Sequence, residues 1–293
     1  MSDSIDNSNS SDATDSSQPL KWNEILIMVP FFSGSLLICC LVFIVMAIYD
    51  QSLFSFSNVA LIDFGAAFNI SIYEGQYWRL LTSTFIHANL LHLFLNMLAL
   101  FLFGFATELL YKKTDYFLIL LVSALISSSA SFYSHSDAFS ISVGFSGVLL
   151  GILAAFIMFG LFSGEPELRK AVLNWQFLLS VLAIIVGDTD KNTDIVAHFY
   201  GFLSGVILTG PYWYLNNILQ KPSLASTTFY ITAFVLIFSG AVIVKNTPTD
   251  IYRYYLQLTD IETHYDAISD PAILYNDTTK TWEEKQQLAQ EQI

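Results

Sequence analysis

The sequence is poor in charged residues, and in basic residues above all. Only 12 of its 293 residues are lysine or arginine, and charged residues of both signs make up 13%. No cluster of lysine and arginine occurs anywhere along the chain. The sequence therefore does not support nucleic-acid binding, which needs a basic patch or stripe.

Cysteine is also scarce, because the chain has only Cys39 and Cys40. Adjacent cysteines in an apolar segment offer neither disulfide geometry nor a ligand set, so we interpret them as small core residues. The sequence also lacks the HExxH pattern of zinc peptidases, the GxGxxG fingerprint and the P-loop pattern. We therefore expect no metal, no nucleotide and no other cofactor.

Apolar residues, in contrast, are abundant. They make up 54% of the chain, and the mean hydropathy is +0.54, which is more apolar surface than a soluble domain can bury. Segments of roughly 17 to 25 apolar residues, the length that a bilayer core demands of a helix, occur seven times. They begin near Ile25, Leu90, Tyr116, Ser146, Val172, Ile195 and Phe229. The pattern predicts an all-α polytopic membrane protein in a lipid bilayer, with the Val172 and Phe229 segments near the short limit.

The net charge of −13 lies mostly in two tails outside this apolar body. Residues 1–24 are rich in serine and aspartate, which is typical of a disordered segment. We expect a cytoplasmic tail over 1–24, a six-helix membrane core over 25–217, a loop and seventh helix over 218–245, and a polar extracytoplasmic tail over 246–293.

The few basic residues predict the orientation of the chain. Most of them fall in the amino-terminal tail or in connections after even-numbered segments, whereas the opposite short connections hold only Arg79 and Lys191. The first group comprises Lys21, Lys112, Lys113, Arg169, Lys170 and Lys221. The positive-inside rule then places the amino terminus in the cytoplasm and, with seven spans, the carboxyl tail outside.

This topology gathers polar residues of three segments at one depth. The second, fourth and sixth segments all run inward from the outer face, and each carries a polar group near its start: His92 and Asn96, Ser146, and His198. His92 and Asn96 are four residues apart and share one helix face. Ionisable groups within a membrane segment are costly and usually face a protein interior or a wet cavity.

Paired glycines follow the polar residues on the fourth and sixth segments. They are Gly147 and Gly151, and Gly201 and Gly205. Such pairs let two helix backbones approach closely, which would bring Ser146 within hydrogen-bond reach of His198. A serine hydroxyl beside an imidazole is the minimal pair of nucleophile and general base.

Each feature alone has a simpler interpretation. A single GxxxG is usually helix packing, a single serine in a membrane helix usually bonds to its own helix, and histidines at helix ends are often interfacial. The combination of four polar groups at one depth on three helices favours a functional site.

The sequence also resembles a known family. The blocks "YWRLLTSTFIHANLLHLFLNMLAL", "GFATELLY", "GFSG" and "AHFYGFLSG" are similar, in order and spacing, to the signature blocks of the rhomboid family of intramembrane serine proteases. The match runs from about Gly65 to Gly205. The resemblance implies a six-helix core, and the seventh helix fits the arrangement of some members.

The resemblance also implies roles for the polar residues. It makes Ser146 the nucleophile and His198 its base, and it assigns His92 and Asn96, with the backbone N–H of Ser146, to the oxyanion hole. The implied activity is that of a serine endopeptidase that cleaves single-span membrane proteins in or near their transmembrane segments, from a site that opens to the extracytoplasmic side. A bacterial inner membrane is the working expectation, although the pI of about 4.5 does not exclude a eukaryotic secretory membrane.

Other positions match the family without a catalytic role. The resemblance makes Trp78, Arg79 and Glu108 structural, and it places His87 in the polar network. Leu150 departs from the pattern, because many bacterial relatives have a tyrosine there whose ring stacks on the histidine.

Asp194 lies four residues before His198 and resembles the third member of a catalytic triad. We interpret it instead as the amino-terminal cap of the sixth segment, pointing outward to water, because aspartate is favoured at this position and helical side chains tilt toward the amino terminus.

Two alternative functions were weighed. A catalytically silent relative that binds membrane proteins as a quality-control scaffold would typically lack the serine or the histidine. A transporter would show an inverted repeat or interrupted helices around a midplane site. The sequence has both Ser146 and His198 and no such repeat.

Overall fold

The structure is a computed structural model that describes residues 27–135, 140–174, 176, 177, 179, 181 and 194–247. Both predicted tails lie outside this range, apart from residues 246 and 247. Most of the predicted fifth segment, after Val172, also lies outside it.

Long apolar helices dominate the described residues, and they form from six of the seven predicted segments. In chain order they are α1 (Pro30–Asp50), α2 (Leu90–Leu110), α3 (Lys113–Ser134), α4 (Ser146–Phe162), α5 (Ile195–Ile218) and α6 (Pro222–Lys245). All except the 17-residue α4 are long and apolar enough to cross a membrane. The predicted class, an all-α polytopic membrane protein, is confirmed.

Two of these helices contain a wider π-helical turn. Within α2, regular helix over Leu90–Ala99 and Phe105–Leu110 flanks a π turn at Leu100–Gly104. In α5, the regular helix Ile195–Trp213 ends in a π turn at Tyr214–Ile218.

The last helix is longer than predicted. Hydropathy predicted a start near Phe229, but α6 begins at Pro222 and runs for 24 residues. The prediction of a segment near the short limit was therefore wrong. Proline suits the first turn of a helix, where its missing N–H is no loss. The helix packs against α3 and α5, and Tyr230 donates a hydrogen bond to Asp115 at 2.8 Å.

Short elements fill the connections. Between α1 and α2 lie helices at Asn58–Asp63, Asn69–Tyr73 and Arg79–Thr82 and a 3-10 turn at Ser83–Phe85, and after α4 lies a helix at Pro166–Val172. A strand β1 (Ala67–Phe68) pairs antiparallel with β2 (Ile141–Ser142), with Ala67 opposite Ser142. This small sheet ties the loop after α1 to the segment that precedes Ser146.

Two buried charged groups anchor these connections. The Arg79 guanidinium lies over the Trp78 ring and donates to the carbonyl oxygens of Ile62 at 2.6 Å and Ala66 at 3.1 Å. Trp78 and Arg79 therefore have the structural role that the resemblance implied.

Glu108 is a second buried charged group that joins elements, and it lies near the carboxyl-terminal end of α2. Its buried carboxylate accepts the backbone N–H groups of Phe31 at 3.2 Å and Phe32 at 2.6 Å, and it pairs with Lys113 at 3.2 Å. It thereby satisfies free N–H groups in the first turn of α1, where negative charge is favoured.

The core lies where α3, α4 and α5 pack against one another. A side chain on Gly201 or Gly205 would overlap the backbone carbonyl of Gly147 or Gly151, respectively, so the backbones of α4 and α5 are in direct contact. Only glycine allows this approach.

The same glycines of α4 also meet a row of serines on α3. Ser123, Ser127 and Ser131 follow each other at intervals of four residues and share one face. A side chain on Gly147 would lie 2.6 Å from Ser127 Oγ, and one on Gly151 would overlap Ser123 Oγ. The glycines of α4 therefore admit two neighbouring helices, whereas the glycine spacing predicted only the contact with α5.

Candidate active site

Ser146 and His198 meet at the amino-terminal ends of their helices. Ser146 is the first residue of α4, and His198 is the fourth residue of α5. His198 Nε2 lies 2.7 Å from Ser146 Oγ, an ordinary distance for a hydroxyl that donates to an imidazole nitrogen. Gly147 directly follows Ser146, and Gly201 lies three residues after His198, so the contact between these two glycines keeps the helices close at the site. The geometry suits proton transfer from the hydroxyl to the ring.

His92 and Asn96 lie on one face of α2. The Asn89 side chain caps this helix by accepting the backbone N–H of His92 at 2.8 Å. The Asn96 side chain is buried and donates through Nδ2 to the His92 carbonyl at 2.8 Å. An amide nitrogen carries two hydrogens, so one remains for a second acceptor.

Gly144 connects His92 to Ser146. A Cβ atom built on this glycine would lie 2.7 Å from His92 Cε1, 2.8 Å from His92 Nε2 and 3.9 Å from Ser146 Oγ. The imidazole of His92 and the hydroxyl of Ser146 therefore flank the same glycine, so α2, α4 and α5 contribute polar groups to one place.

Asp194 caps α5, because its Oδ1 accepts the backbone N–H of Ala197 at 2.9 Å. The expectation that it points outward to water was wrong. Its Oδ2 accepts hydrogen bonds from the Ser142 hydroxyl at 2.8 Å and from the Ser131 hydroxyl. The reason is the small sheet, which places Ser142 beside the start of α5.

His87 is completely buried and packs against His92, with ring centroids 5.1 Å apart. Within the described residues neither of its ring nitrogens has a hydrogen-bond partner. Burial, together with nearby His92, lowers the pKa of His87 to about 3, although the Phe85 backbone acts in the opposite direction. His87 is therefore a neutral packing partner of His92 at physiological pH, and its membership of a polar network stays a prediction.

Leu150 lies one turn below Ser146 and is buried in an apolar cluster with Leu153, Ile157 and Val172. The position that carries a tyrosine in many relatives is here part of the packing between α4 and the chain that follows it.

A family model matches the central part of the chain. Residues 74–215 match the model of the rhomboid domain, and this range contains Ser146, His198, His92 and Asn96. The chain therefore contains a rhomboid domain over these residues. It is an integral, multi-pass membrane protein, and the family resemblance of its sequence blocks is confirmed.

Curated proteins that are similar to this chain include bacterial and plant rhomboid proteins. Rhomboid protease GluP of Bacillus subtilis (strain 168) is 33% identical over 151 residues, which cover 52% of this chain and 29% of GluP. RHOMBOID-like protein 5 of Arabidopsis thaliana is 31% identical over 160 residues, which cover 49% of this chain and 48% of the relative. Rhomboid protease AarA of Providencia stuartii is 28% identical over 185 residues, which cover 55% of this chain and 66% of AarA. In each of these three the shared region spans less than two thirds of the relative.

Sequence reasoning missed three contributors to the site: Gly144, Ser142, which binds Asp194, and the serine row of α3, whose Ser131 binds the same carboxylate. Gly144 stands within the quoted "GFSG" block, which was its one available signal. Ser142 gave none, whereas the serines of α3 lie four residues apart, a spacing of small residues that is typical of close helix packing.

Proposed function

We propose that this rhomboid protein is an intramembrane serine protease that hydrolyses peptide bonds in or near the transmembrane segments of membrane proteins, with Ser146 as nucleophile and His198 as general base. The observation that carries the proposal is the distance of 2.7 Å between Ser146 Oγ and His198 Nε2. A hydroxyl becomes an effective nucleophile when a neighbouring imidazole takes its proton.

In the proposed reaction, Ser146 Oγ attacks the carbonyl carbon of the scissile bond while its proton moves to His198 Nε2. The C–N bond then breaks, and the imidazolium returns the proton to the leaving amine, which leaves an acyl-enzyme. A water molecule, deprotonated by the same imidazole, hydrolyses the ester and restores the serine hydroxyl.

The negative charge of the tetrahedral intermediate needs donors aimed at its oxygen. We assign this role to His92, to Asn96 and to the backbone N–H of Ser146. The first residue of a helix has an N–H without an intrahelical partner, and the helix dipole favours negative charge there. Removal of one oxyanion donor commonly lowers the turnover rate by roughly 10²- to 10³-fold.

The proposed substrates are single-span membrane proteins. A helical peptide bond has its carbonyl occupied by a hydrogen bond, so a substrate helix must unwind locally before Ser146 can attack. Small or helix-destabilising residues near the outer face of the substrate segment would ease this step, because glycine and proline weaken a helix. The positive-inside distribution of basic residues supports a site that opens to the extracytoplasmic side. The proposed location is a bacterial inner membrane.

The test compares wild-type protein with Ser146→Ala in proteoliposomes that contain a model single-span substrate. We expect the wild type to cleave within or beside the transmembrane segment and the variant to be inactive while folded. Cleavage by both would move the nucleophile elsewhere. Binding of the substrate by both, with cleavage by neither, would favour the scaffold function.

A further inference from the structure

Gly144 has a backbone conformation that disfavours a side chain. It lies two residues before Ser146, between β2 and α4, and its φ is +121°. Residues with a Cβ atom rarely adopt such an angle, whereas glycine does so readily. The conformation alone would select glycine, but it does not say what the free space is for.

The imidazole edge of His92 occupies this space. A Cβ on Gly144 would lie 2.7 Å from Cε1 and 2.8 Å from Nε2 of His92, and real Cβ atoms do not approach other heavy atoms so closely. The atoms in question are a ring nitrogen and the adjacent ring carbon of His92, the residue proposed as an oxyanion donor. A methyl group on residue 144 would therefore displace the donor itself.

The surroundings leave little room for either partner to move. The Gly144 N–H donates to the Ser83 carbonyl at 3.0 Å, and Ser83 is buried. The same stretch of chain continues to His87, which is buried and packs against the His92 ring. One segment, from Ser83 to His87, thus fixes both the backbone of Gly144 and one neighbour of His92.

We propose that Gly144 is a positioning residue that sets the place of the His92 imidazole beside Ser146. The proposal deepens the proposed protease function and rests on the role of His92 as an oxyanion donor. Such a donor stabilises the transition state only from the correct position, so its displacement lowers kcat more than it changes KM.

The experiment is a double-mutant cycle with Gly144→Ala, His92→Ala and both together, and with Gly75→Ala as matched control. Gly75 also has a positive φ, +100°, but a Cβ there would meet nothing within 4 Å. The control therefore measures backbone strain without a clash. Thermal stability, kcat and KM are measured for each purified variant with the single-span substrate.

We expect Gly144→Ala to lower kcat by on the order of 10²-fold, as loss of one oxyanion donor does, with little change in KM. Gly75→Ala should keep kcat within about threefold, since it lies in the loop before Trp78. In the double variant the clash is gone, so we expect Gly144→Ala to lower Tm less in the His92→Ala background than in wild type, and to lower kcat little further.

An equal loss of Tm in both backgrounds would overturn the proposal, because the cost would then be backbone strain alone. If Gly144→Ala fails to fold, recovery of folded protein in the double variant supports the contact, and failure of both contradicts it. A wild type that cleaves no substrate would refute the protease function instead, since the Tm cycle reports the contact without any catalysis.

Discussion

The Asp194 carboxylate joins three parts of the molecule: the start of α5, the strand β2 and the end of α3. Its bonds to Ala197, Ser142 and Ser131 account for both of its oxygens. Ser142 lies four residues before Ser146 and Asp194 four residues before His198, so this carboxylate links the two segments that lead into the proposed dyad. We infer a structural clamp at this position.

This assignment predicts different outcomes for two substitutions of Asp194. Asp194→Asn keeps an oxygen for the cap and offers an NH₂ group to hydroxyls that can turn to accept, so we expect turnover within about tenfold of wild type. Asp194→Ala removes the cap and both serine bonds, so it should cost more than the roughly 1 kcal/mol of a cap alone. Tm and turnover at saturating substrate distinguish the two. A loss of roughly 10⁴-fold in Asp194→Asn would identify a triad aspartate.

His87 predicts an acid-sensitive contribution to stability. The folded protein lowers the pKa of His87 to about 3, whereas the ordinary value is 6.5, so the unfolded chain binds a proton between these values and the folded protein does not. Stability therefore falls as the pH drops below about 6.5, and the loss from this one group is roughly 2 kcal/mol at pH 5. His87→Phe should reduce the fall in Tm between pH 7.5 and pH 5. An unchanged fall would show that His87 does not stay neutral.

At the scale of single residues, the motif blocks and the polar groups at one depth predicted which side chains would approach each other. They did not predict Gly144 as a neighbour of His92, because a glycine in a motif does not reveal which group fills the space it leaves. The direction expected for Asp194 was wrong, because the geometry of α5 alone does not show that Ser142 of β2 lies beside the start of that helix.

At the scale of elements, close contact between α4 and α5 holds the site together. The glycine pairs predicted this contact because small residues four apart are typical of it. The contact with α3 was missed, although Ser123, Ser127 and Ser131 are also small residues four apart and give the same signal as the glycines. The start of α6 was missed because hydropathy is low over its polar first turns. These residues still form helix, since the Thr227 hydroxyl donates to the Ser223 carbonyl at 2.9 Å.

Gly205→Val tests the contact between α4 and α5. The new Cβ atom would overlap the Gly151 carbonyl oxygen and lie 2.8 Å from Ala154 Cβ. The two helices must therefore separate, and the distance between Ser146 Oγ and His198 Nε2 must grow. We expect Tm and cleavage to fall together. Gly34→Val on α1 is the matched control, because a Cβ there meets nothing within 4 Å, and it should retain both. Equal effects of the two substitutions would show that the loss is not specific to this interface.

At the scale of the whole molecule, the distribution of basic residues predicts which ends of the helices face the cytoplasm. Lys112 and Lys113 lie at the connection between α2 and α3, at the opposite end of α2 from His92. If this connection is cytoplasmic, the proposed site lies toward the outer face, where water reaches it more easily than at the bilayer centre.

Protease protection tests this orientation. With an epitope tag at either terminus, sealed right-side-out vesicles treated with an external protease should retain the amino-terminal tag and lose the carboxyl-terminal tag. Detergent permeabilisation, the control, should expose both. Loss of the amino-terminal tag in sealed vesicles would reverse the predicted orientation.

The most direct measurement of the central claim is covalent labelling of Ser146 by a fluorophosphonate probe, read by mass spectrometry of the purified wild type, His198→Ala and Asp194→Asn proteins. If His198 activates Ser146, the wild type and Asp194→Asn should carry the label on Ser146, and folded His198→Ala should carry none. An unlabelled Ser146 in the active wild type, or equal labelling in His198→Ala, would contradict the assignment of these two residues as nucleophile and base.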